Sequence, residues 1–305
     1  MQQYLHHVHG RNLDGSKKSD SLTFGGYSQQ DAQEYINFLT MHLHDETNIR
    51  RNQDWDKKSN FENDKRTALE IAIQFWSAYQ MGNQSIIDRY FRGVEMTLLT
   101  CSNCGYVSRI FQVFDVLALP IQSVANSSLT DSLDVVTMEE PCGDLTCDGC
   151  KKKNTRTKKM RLARLPDRLI FVFNRFTIDR HGTTKNRTKV RFPLRGLDMS
   201  RYALDAADQS VSRSSPHADL AKTRQFEGPF IYDLYATIVH AGKELSSGHY
   251  WAYAKDDSSK DPEDWLELND SNVRRVKANT SDDRDLFGLP STTQAYVAFY
   301  RRRSS

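Results

Sequence analysis

The amino-acid sequence predicts an α+β fold. Helical patterns dominate the first third of the 305 residues, and short strand patterns dominate the remainder. Two Cys-x-x-Cys pairs lie within the β-rich part, as expected for hairpins tied together by a metal. With 38% hydrophobic and 27% charged residues, the chain can bury one large core or two smaller ones.

Composition and charge exclude several classes of protein. The 42 Lys and Arg exceed the 39 Asp and Glu by a formal charge of only +3, which does not favour a nucleic acid as the main partner. Five cysteines are too few for a disulfide scaffold and indicate reduced thiols, so we expect cytoplasm, nucleus or both. The start has no apolar signal core, and the longest apolar run, residues 169–173, is too short to span a membrane. We therefore expect neither secretion nor membrane insertion.

The helices are predicted from caps and apolar spacing. Residues 1–27 are polar and are interpreted as an extended lead-in. Residues 28–31 fit a capping box, and apolar residues then recur with helical spacing, so a helix is expected over 28–45. A charged surface connection, 48–66, separates it from a second helix at about 69–79.

The β-rich part begins at about Arg89, where branched and aromatic residues alternate with polar ones. Residues 128–140 have a helical pattern, and the apolar segment 169–173 is predicted to be a strand buried on both faces. Residues 206–225 are rich in Ser, Asp and Ala, and are interpreted as an inserted or mobile loop. The final third returns to strand patterns.

The paired cysteines are candidate metal ligands, with Cys142 as the spare. Each pair places two sulfurs on one tight turn, and two such turns complete a zinc tetrahedron. Because four thiolates leave no open position, the zinc would be structural. The alternative is two unrelated surface turns with free thiols. The predicted ligands are Cys101, Cys104, Cys147 and Cys150.

A basic run follows the second cysteine pair. Residues 151–164 contain eight Lys and Arg and no acid. We interpret the run as a solvated, mobile hairpin beside the zinc site, in preference to a nucleic-acid contact. Contact with an acidic partner surface is the other alternative.

The last third suggests a histidine paired with an amide or a carboxylate. Strand patterns cover residues 232–240, 249–254 and 265–268, and the last is followed at once by Asn269 and Asp270. If the second and third strands form an antiparallel hairpin, His249 lies beside Asn269 or Asp270. An oxygen that holds Nδ1–H would leave Nε2 free to accept a proton, as a catalytic base requires. The alternative is an ordinary polar hairpin end.

Several segments in a fixed order resemble the ubiquitin-specific proteases, the papain-like cysteine deubiquitinases. The resemblance runs from about residue 24 to 300, with a gap near 206–225. Besides the two cysteine pairs it rests on Gln-Gln-Asp-Ala-Gln-Glu-Tyr at 29–35, Leu-Pro-Asp-Arg-Leu-Ile-Phe-Val-Phe-Asn-Arg-Phe at 165–176, Val-Arg-Phe-Pro at 190–193, Gly-His-Tyr at 248–250 and Asn-Asp-Ser-Asn-Val at 269–273.

This resemblance implies a papain-like cysteine protease fold of thumb, zinc-stapled β fingers and β palm, with the N-terminal part of the thumb missing. The whole chain, 1–305, would be one partial catalytic domain. Residues 1–95 would be the remaining thumb, 96–165 the zinc-bearing fingers, and 166–305 the palm with the histidine site and the insertion.

The resemblance also implies roles for single residues. His249 would be the general base, Asn269 its orienting residue and Asp270 a support. The segment containing Gln30, Asp31 and Glu34 would meet the arginine-bearing tail of ubiquitin. Ubiquitin and ubiquitinated proteins would then be the partners, and the reaction would be hydrolysis of the bond after the C-terminal glycine of ubiquitin.

One departure from the family is large. Its nucleophile sits in a Gly-Asn-Thr-Cys-Tyr-like box upstream of the Gln-Gln-Asp helix, and residues 1–27 contain no cysteine. We therefore expect this chain alone to be inactive, as part of a deubiquitinase recorded without its N-terminal segment. The alternative is a catalytically dead ubiquitin-binding scaffold. A zinc-bearing nucleic-acid binder is a third and weaker interpretation.

Overall fold

A computed structural model describes Phe24 and residues 30–122, 127–180, 182–212, 215–216, 218–244, 247–278 and 291–304. Its helices are α1 (Ala32–Thr47), α2 (Ala68–Gly82), α3 (Ile86–Tyr90), α4 (Leu129–Thr137), α5 (Ala218–Ala221) and α6 (Ser291–Gln294). Its strands are β1 (Asn60–Glu62), β2 (Gly93–Cys101), β3 (Val107–Phe114), β4 (Leu117–Pro120), β5 (Ser127–Ser128), β6 (Glu140–Pro141), β7 (Arg156–Arg164), β8 (Arg168–Asn174), β9 (Phe176–Asp179), β10 (Gly182–Lys185), β11 (Val190–Arg191), β12 (Leu197–Asp198), β13 (Ile231–Glu244), β14 (Ser247–Lys255), β15 (Asp264–Asn269), β16 (Asn272–Lys277) and β17 (Ala295–Arg302).

Two sheets organise the described residues. The larger has eight strands in the order β16-β15-β14-β13-β17-β8-β4, with β12 added beside β13, and is antiparallel except where β4 pairs parallel with β8. The smaller has five strands in the order β1-β3-β2-β7-β6. It carries both cysteine pairs at one end. The larger sheet carries the histidine, so the sequence prediction of strands around both features is confirmed.

Strand β8 forms the centre of the core, because its side chains alternate between two apolar clusters. Leu169, Phe171 and Phe173 pack with α4 and the strands around it. Ile170 and Val172 point the other way and pack against Ile36 of α1. The predicted burial of this strand on both faces is thus confirmed, and α1 is held on one face of the larger sheet. A third cluster joins α2 to the smaller sheet.

The first helix begins later than predicted. It starts at Ala32 with Asp31 as its N-cap, whereas the sequence pattern suggested a start at Ser28. Ser28 itself lies outside the described residues. Thr67 caps α2 and Ser128 caps α4, which fits the two other predicted helices.

The segment 206–225, predicted to be an inserted or mobile loop, packs against α2 where the structure describes it. The backbone oxygen of Ser210 accepts a hydrogen bond of 2.6 Å from Thr67, and the amide of Ser212 donates one of 3.1 Å to Glu70. Leu220 packs against the apolar cluster of α2. This polar segment therefore runs along the surface of α2 and is held there by hydrogen bonds and one apolar contact.

The second half of the basic run is β7, a strand inside the smaller sheet, where the sequence pattern suggested a solvated hairpin. Lys158 pairs with Glu140 at 2.9 Å, while Lys159 and Arg161 share Asp205 at 2.8 and 3.1 Å. These pairs reduce the local positive charge that a nucleic acid would need.

In the part of the chain that the structure describes, no helix combines the length and apolarity needed to cross a bilayer.

Candidate active site

His249 and Asn269 come together at one end of the larger sheet. The antiparallel pairing of β14 with β15 includes Ala252 opposite Leu268, which places the start of β14 beside the end of β15. Nε2 of His249 lies 2.6 Å from Oδ1 of Asn269. The imidazole stacks at 22° over the ring of Trp251, at a centroid distance of 5.8 Å. The predicted adjacency is therefore present, and the ring is held from its edge and from one face.

The contact uses the opposite ring nitrogen from the one expected. The sequence prediction placed Nδ1 against the orienting oxygen, but in the structure Nε2 faces Asn269. Because an amide oxygen only accepts, Nε2 carries the proton in the neutral ring and Nδ1 is the free base. His249 can therefore still act as a base that Asn269 orients. The nitrogen that accepts the proton is Nδ1 instead of the predicted Nε2.

Asp270 also lies near the histidine. Its Oδ2 is 3.9 Å from Nε2 of His249, and its side chain is 76% exposed. Side chains of consecutive strand residues point to opposite faces, so regular strand geometry would place only one of Asn269 and Asp270 near the ring. Asp270 is instead part of the two-residue turn between β15 and β16, with φ of 51°, so alternation does not apply to it. An exposed carboxylate at this distance supports the ring only weakly.

Asp31 connects the start of α1 to the larger sheet. Its Oδ1 accepts hydrogen bonds from the amides of Gln33 and Glu34, at 2.8 and 3.0 Å, which caps the helix. Its Oδ2 accepts from the hydroxyl of Tyr296 at 2.7 Å and lies 3.5 Å from that of Tyr250. Burial and this carboxylate raise the pKa of Tyr296 well above its usual value. Asp31 is thus already engaged on both oxygens.

A cleft lies beside this contact. It has a volume of about 260 Å³ and is lined by residues from α1, β8 and β17, including Asp31, Glu34, Asn174 and Tyr296. The side chain of Glu34 is exposed, and among the described residues it has no ion-pair partner. Gln30 is partly buried just before the helix. Among the described residues Glu34 is therefore the acidic side chain at the cleft that is available to a ligand. The carboxylate of Asp31 is already used to cap α1 and to bind Tyr296.

A basic pair lies beside the strand that carries His249: His240 of β13 is buried, and Lys185 of β10 is half-buried. Nζ of Lys185 donates to Nδ1 of His240 at 3.1 Å and to the backbone oxygen of His240 at 2.6 Å. Burial, reinforced by Lys185, lowers the pKa of His240 to about 4, so its ring is neutral near pH 7. A Cβ on Gly248 would lie 2.3 Å from Nε2 of His240. Only glycine therefore fits immediately before His249.

The four predicted metal ligands form one cluster. All four Sγ atoms lie within 4.8 Å of one another, and two of the distances are 3.8 Å (Cys101 to Cys150) and 3.7 Å (Cys104 to Cys147). A zinc tetrahedron with Zn–S bonds of about 2.3 Å has an edge of about 3.8 Å. The donor set and its spacing therefore fit Zn²⁺.

The two cysteine turns share one backbone geometry. The amide of Gly105 donates to the backbone oxygen of Cys101 at 2.9 Å, and that of Lys151 donates to Cys147 at 2.8 Å. In each turn the residue after the second cysteine has a positive φ, 70° for Gly105 and 59° for Lys151. Because the two turns have the same backbone geometry, each presents its two sulfur atoms in the same way. Cys142 is outside the cluster.

The sulfur atoms lie away from the histidine. All five cysteines of the sequence belong to the smaller sheet and its turns, in the range 101–150, whereas His249 is on β14 of the larger sheet. The sequence patterns did not indicate that Tyr250, Tyr296, His240 and Lys185 belong to the site. Tyr250 follows His249 directly and could have been found from that neighbour, whereas Tyr296 is 265 residues from Asp31 and carries no local signal.

Comparison with known proteins identifies the class. A family model described as ubiquitin carboxyl-terminal hydrolase matches residues 1–300. The chain therefore belongs to the ubiquitin carboxyl-terminal hydrolases of the ubiquitin-specific protease type, a family of ubiquitin hydrolases.

Individual relatives agree with this assignment. Ubiquitin carboxyl-terminal hydrolase 2 of Gallus gallus is 33% identical, over 92% of this chain and 70% of that protein. The Homo sapiens protein of the same name is 33% identical over 92% of this chain, which spans 42% of the human protein. Ubiquitin carboxyl-terminal hydrolase 3 of Mus musculus is 32% identical over 92% of this chain and 50% of its own length. The chain thus spans about half or less of several of these relatives.

Solved structures show the same fold. The SAGA DUB module of Ubp8, Sgf11, Sus1 and Sgf73 bound to monoubiquitin matches with a TM-score of 0.62 and 22% identity, covering 93% of this chain and 50% of that one. The same module bound to ubiquitin aldehyde gives the same values with 51% coverage of that chain. The prediction of an α+β ubiquitin-specific protease fold with a cysteine-bearing β extension is confirmed.

Proposed function

We propose that these residues form the histidine-bearing part of a cysteine-type deubiquitinase domain, which hydrolyses the peptide or isopeptide bond after the C-terminal glycine of ubiquitin. The observation that carries the proposal is the 2.6 Å contact between His249 and Asn269. Protein binding alone does not require an imidazole fixed by an amide, whereas a thiol nucleophile requires a base of this kind. Family membership and the thumb, finger and palm assignment support the same conclusion.

In this proposal Nδ1 of His249 takes the proton of a cysteine thiol that residues 1–305 do not supply near the site. The thiolate attacks the carbonyl carbon of the terminal glycine and forms a tetrahedral intermediate. The imidazolium then gives its proton to the leaving amine, and a thioester remains. Water adds to the thioester with His249 again as base, which releases ubiquitin and restores the thiol. Asn269 keeps Nε2–H engaged throughout, so the ring stays in the productive orientation.

The substrate tail is proposed to bind in the cleft beside α1. Ubiquitin ends in an arginine-bearing tail, and Glu34 supplies an exposed carboxylate with no competing partner among the described residues. Asp31 contributes mainly by fixing the helix that carries Glu34, because both of its oxygens are engaged. Gln30 precedes them at the cleft end of the helix. We propose ubiquitin and ubiquitinated proteins as the partners on this basis.

One structural zinc is proposed for the four-cysteine cluster. Its ligands would be Cys101, Cys104, Cys147 and Cys150, and the metal would hold two hairpin ends of the smaller sheet together. Four thiolates leave no position for water, so the zinc takes no part in the reaction.

A second function is favoured by the position of the sulfurs. All five cysteines lie on the smaller sheet, so the chain as it stands would bind ubiquitin without cleaving it. We accordingly propose that residues 1–305 alone have no hydrolase activity, either as one part of an enzyme or as a binding scaffold. The coding sequence before residue 1 distinguishes the two: a Gly-Asn-Thr-Cys box there makes the chain part of an enzyme.

The test uses ubiquitin with a C-terminal fluorophore and an electrophilic ubiquitin probe. We expect no fluorophore release and no covalent labelling by the 305-residue chain, but measurable ubiquitin binding. Glu34→Lys weakens that binding by about twofold to thirtyfold, since an exposed pair is worth about 0.2–1 kcal/mol and charge reversal doubles the effect. Glu46→Lys, exposed on the same helix but remote from its start, is the matched control.

Two outcomes would contradict the proposal. Hydrolysis by this chain that His249→Ala abolishes would refute its inactivity. Absence of ubiquitin binding, together with no hydrolysis by a chain extended to include a Cys box, would refute the deubiquitinase function itself.

A further inference from the structure

Five arginines line a cavity at the end of the larger sheet that is opposite the cleft. The cavity measures about 550 Å³, and we call it the arginine cavity: Arg168 at the start of β8, Arg224 before β13, and Arg301, Arg302 and Arg303 at the end of β17. Tyr296, which bonds Asp31 at the cleft, lies six residues before Arg302 on β17. At about 3.3 Å per residue the two places are roughly 20 Å apart. The cavity is therefore separate from the proposed catalytic site.

Three of the arginines are neutralised by aspartates. Arg224 pairs with Asp167 at 3.0 Å. Arg301 pairs with Asp257 and Arg303 with Asp233, each at 2.9 Å. Each of these carboxylates is already engaged by a guanidinium group, so its negative charge is largely offset and the cavity does not favour a cation.

The other two arginines have no carboxylate partner among the described residues. Arg302 is only 7% exposed, and its guanidinium donates to backbone oxygens, including those of Glu227 and Pro229 at 2.8 Å. Burial lowers the pKa of Arg302, which reflects the cost of keeping its charge out of water. Arg168 donates to the backbone oxygen of Asp167 at 3.1 Å and lies over the ring of Tyr235. The cavity thus has a surplus of two positive charges.

We propose that the arginine cavity binds a compact anion that carries two or more phosphoryl groups. A surplus of two charges matches such an anion, and a guanidinium has five donors in a planar fork that fits phosphate oxygens two at a time. The volume suits a small molecule. Arg168, with a single backbone bond, has most of its donors free to contact the ligand. Tyr90 of α3 also lines the cavity, so the anion would contact both a helix and the sheet.

The experiment titrates the purified chain with sodium tripolyphosphate and with inositol hexakisphosphate at constant ionic strength, by calorimetry and by ³¹P line broadening. One arm tests a linear and the other a ring-shaped arrangement of the same groups. We expect Arg168→Gln to weaken binding by about tenfold or more, as loss of a charge-assisted bidentate contact implies. Arg224→Gln should also weaken binding, because the carboxylate of Asp167 is then left beside the anion without its partner. Arg195→Gln is the matched control, because Arg195 is similarly exposed and pairs with Glu263 outside the cavity.

Saturable binding of either anion that is lost in the two cavity variants and kept in Arg195→Gln supports the proposal. No binding of either anion overturns it, as does binding weakened equally by all three substitutions. Arg302 is left unchanged because its buried bonds to the backbone are needed for folding. None of these readouts depends on ubiquitin, so the result is independent of the proposed function.

Discussion

Asn269 is the last residue of its strand, and this position decides what it can do. A strand end beside a two-residue turn keeps the backbone fixed while the side chain reaches His249 across the hairpin. One hydrogen bond to Nε2 selects the tautomer with a free Nδ1. Because a neutral hydrogen bond contributes about 1 kcal/mol, its removal changes the tautomer ratio by about fivefold.

We predict that Asn269→Ala converts the imidazole of His249 from mainly the Nε2–H form to a mixture. Nitrogen-15 chemical shifts of the ring, recorded near pH 8, measure the ratio directly. Asp270→Asn is the control and should leave the ratio nearly unchanged, because Asp270 lies 3.9 Å from the ring and is exposed. A mixture already present in the unmodified chain would refute the assigned tautomer.

Asp31 combines a helix cap and a bond to the sheet in one carboxylate. We predict that Asp31→Ala lowers the free energy of unfolding by about 2–4 kcal/mol, since a lost N-cap costs about 1 and the buried Tyr296 hydroxyl also loses its acceptor. Tyr296→Phe should cost about 1 kcal/mol. Urea denaturation of the two single variants and of the double variant gives the coupling free energy between Asp31 and Tyr296.

That coupling distinguishes a direct bond from two independent effects. We expect the double variant to be less destabilised than the sum of the single variants by about 0.5 kcal/mol or more. Glu34→Ala, on the same helical turn, should change stability little because its side chain is exposed. Strict additivity would show that the Tyr296 contact does not stabilise the fold.

At the scale of elements, the two cysteine turns hold the end of the smaller sheet. We predict about one zinc per chain by elemental analysis, and far less in Cys104→Ser, because a tetrahedral site tolerates the loss of a thiolate poorly. The variant should also melt at a lower temperature. Cys142→Ser is a matched control that keeps its zinc, since Cys142 is outside the cluster. Equal zinc content in the two variants would contradict the ligand assignment.

Elements with their own caps and periodicity were predictable from the sequence. The helix expected at 69–79 is Ala68–Gly82, and the one expected at 128–140 is Leu129–Thr137. The start of α1 was misplaced, because Ser28 and Asp31 are both good capping residues and the choice of Asp31 accompanies a contact with Tyr296. The parallel pairing of β4 with β8 could not be predicted either, because no sequence pattern near either strand indicates which strand it pairs with.

The candidate site was predictable to the level of residue pairs. Strand patterns and one loop sufficed to bring His249 to Asn269, because a hairpin constrains both ends. The choice of ring nitrogen, the engagement of Asp31 and the buried partner of His240 depend on side-chain packing from distant strands. Sequence spacing carries no information about those contacts.

At the scale of the whole molecule, burial of basic groups makes stability depend on pH. His240 is fully buried, and it faces Lys185 of β10, Asp31 before α1 and Tyr250 of β14. Its folded pKa of about 4 is below the ordinary value of 6.5, so between these values the unfolded chain binds the proton more readily. Stability is therefore lost as pH falls through this window, by up to about 1.4 kcal/mol per pH unit.

We predict that the melting temperature falls between pH 7 and pH 5, and that His240→Gln has a shallower slope. A shift of roughly 2–4 °C accompanies each kcal/mol in domains of this size. Differential scanning calorimetry of both proteins in matched buffers gives the two slopes, whatever the absolute stability of the variant. Equal slopes would exclude His240 as the group responsible.

Among the described residues β16 is the outermost strand of the larger sheet; it is mostly exposed and lies directly beyond the strand that ends at Asn269. An open edge of this kind invites a second extended chain to add itself to the sheet. Arg274, Arg275 and Lys277 cover the edge, each anchored to an acid on a neighbouring segment. A second strand that added itself here would have to displace or accommodate these ion pairs, which makes self-association beside the histidine site less favourable.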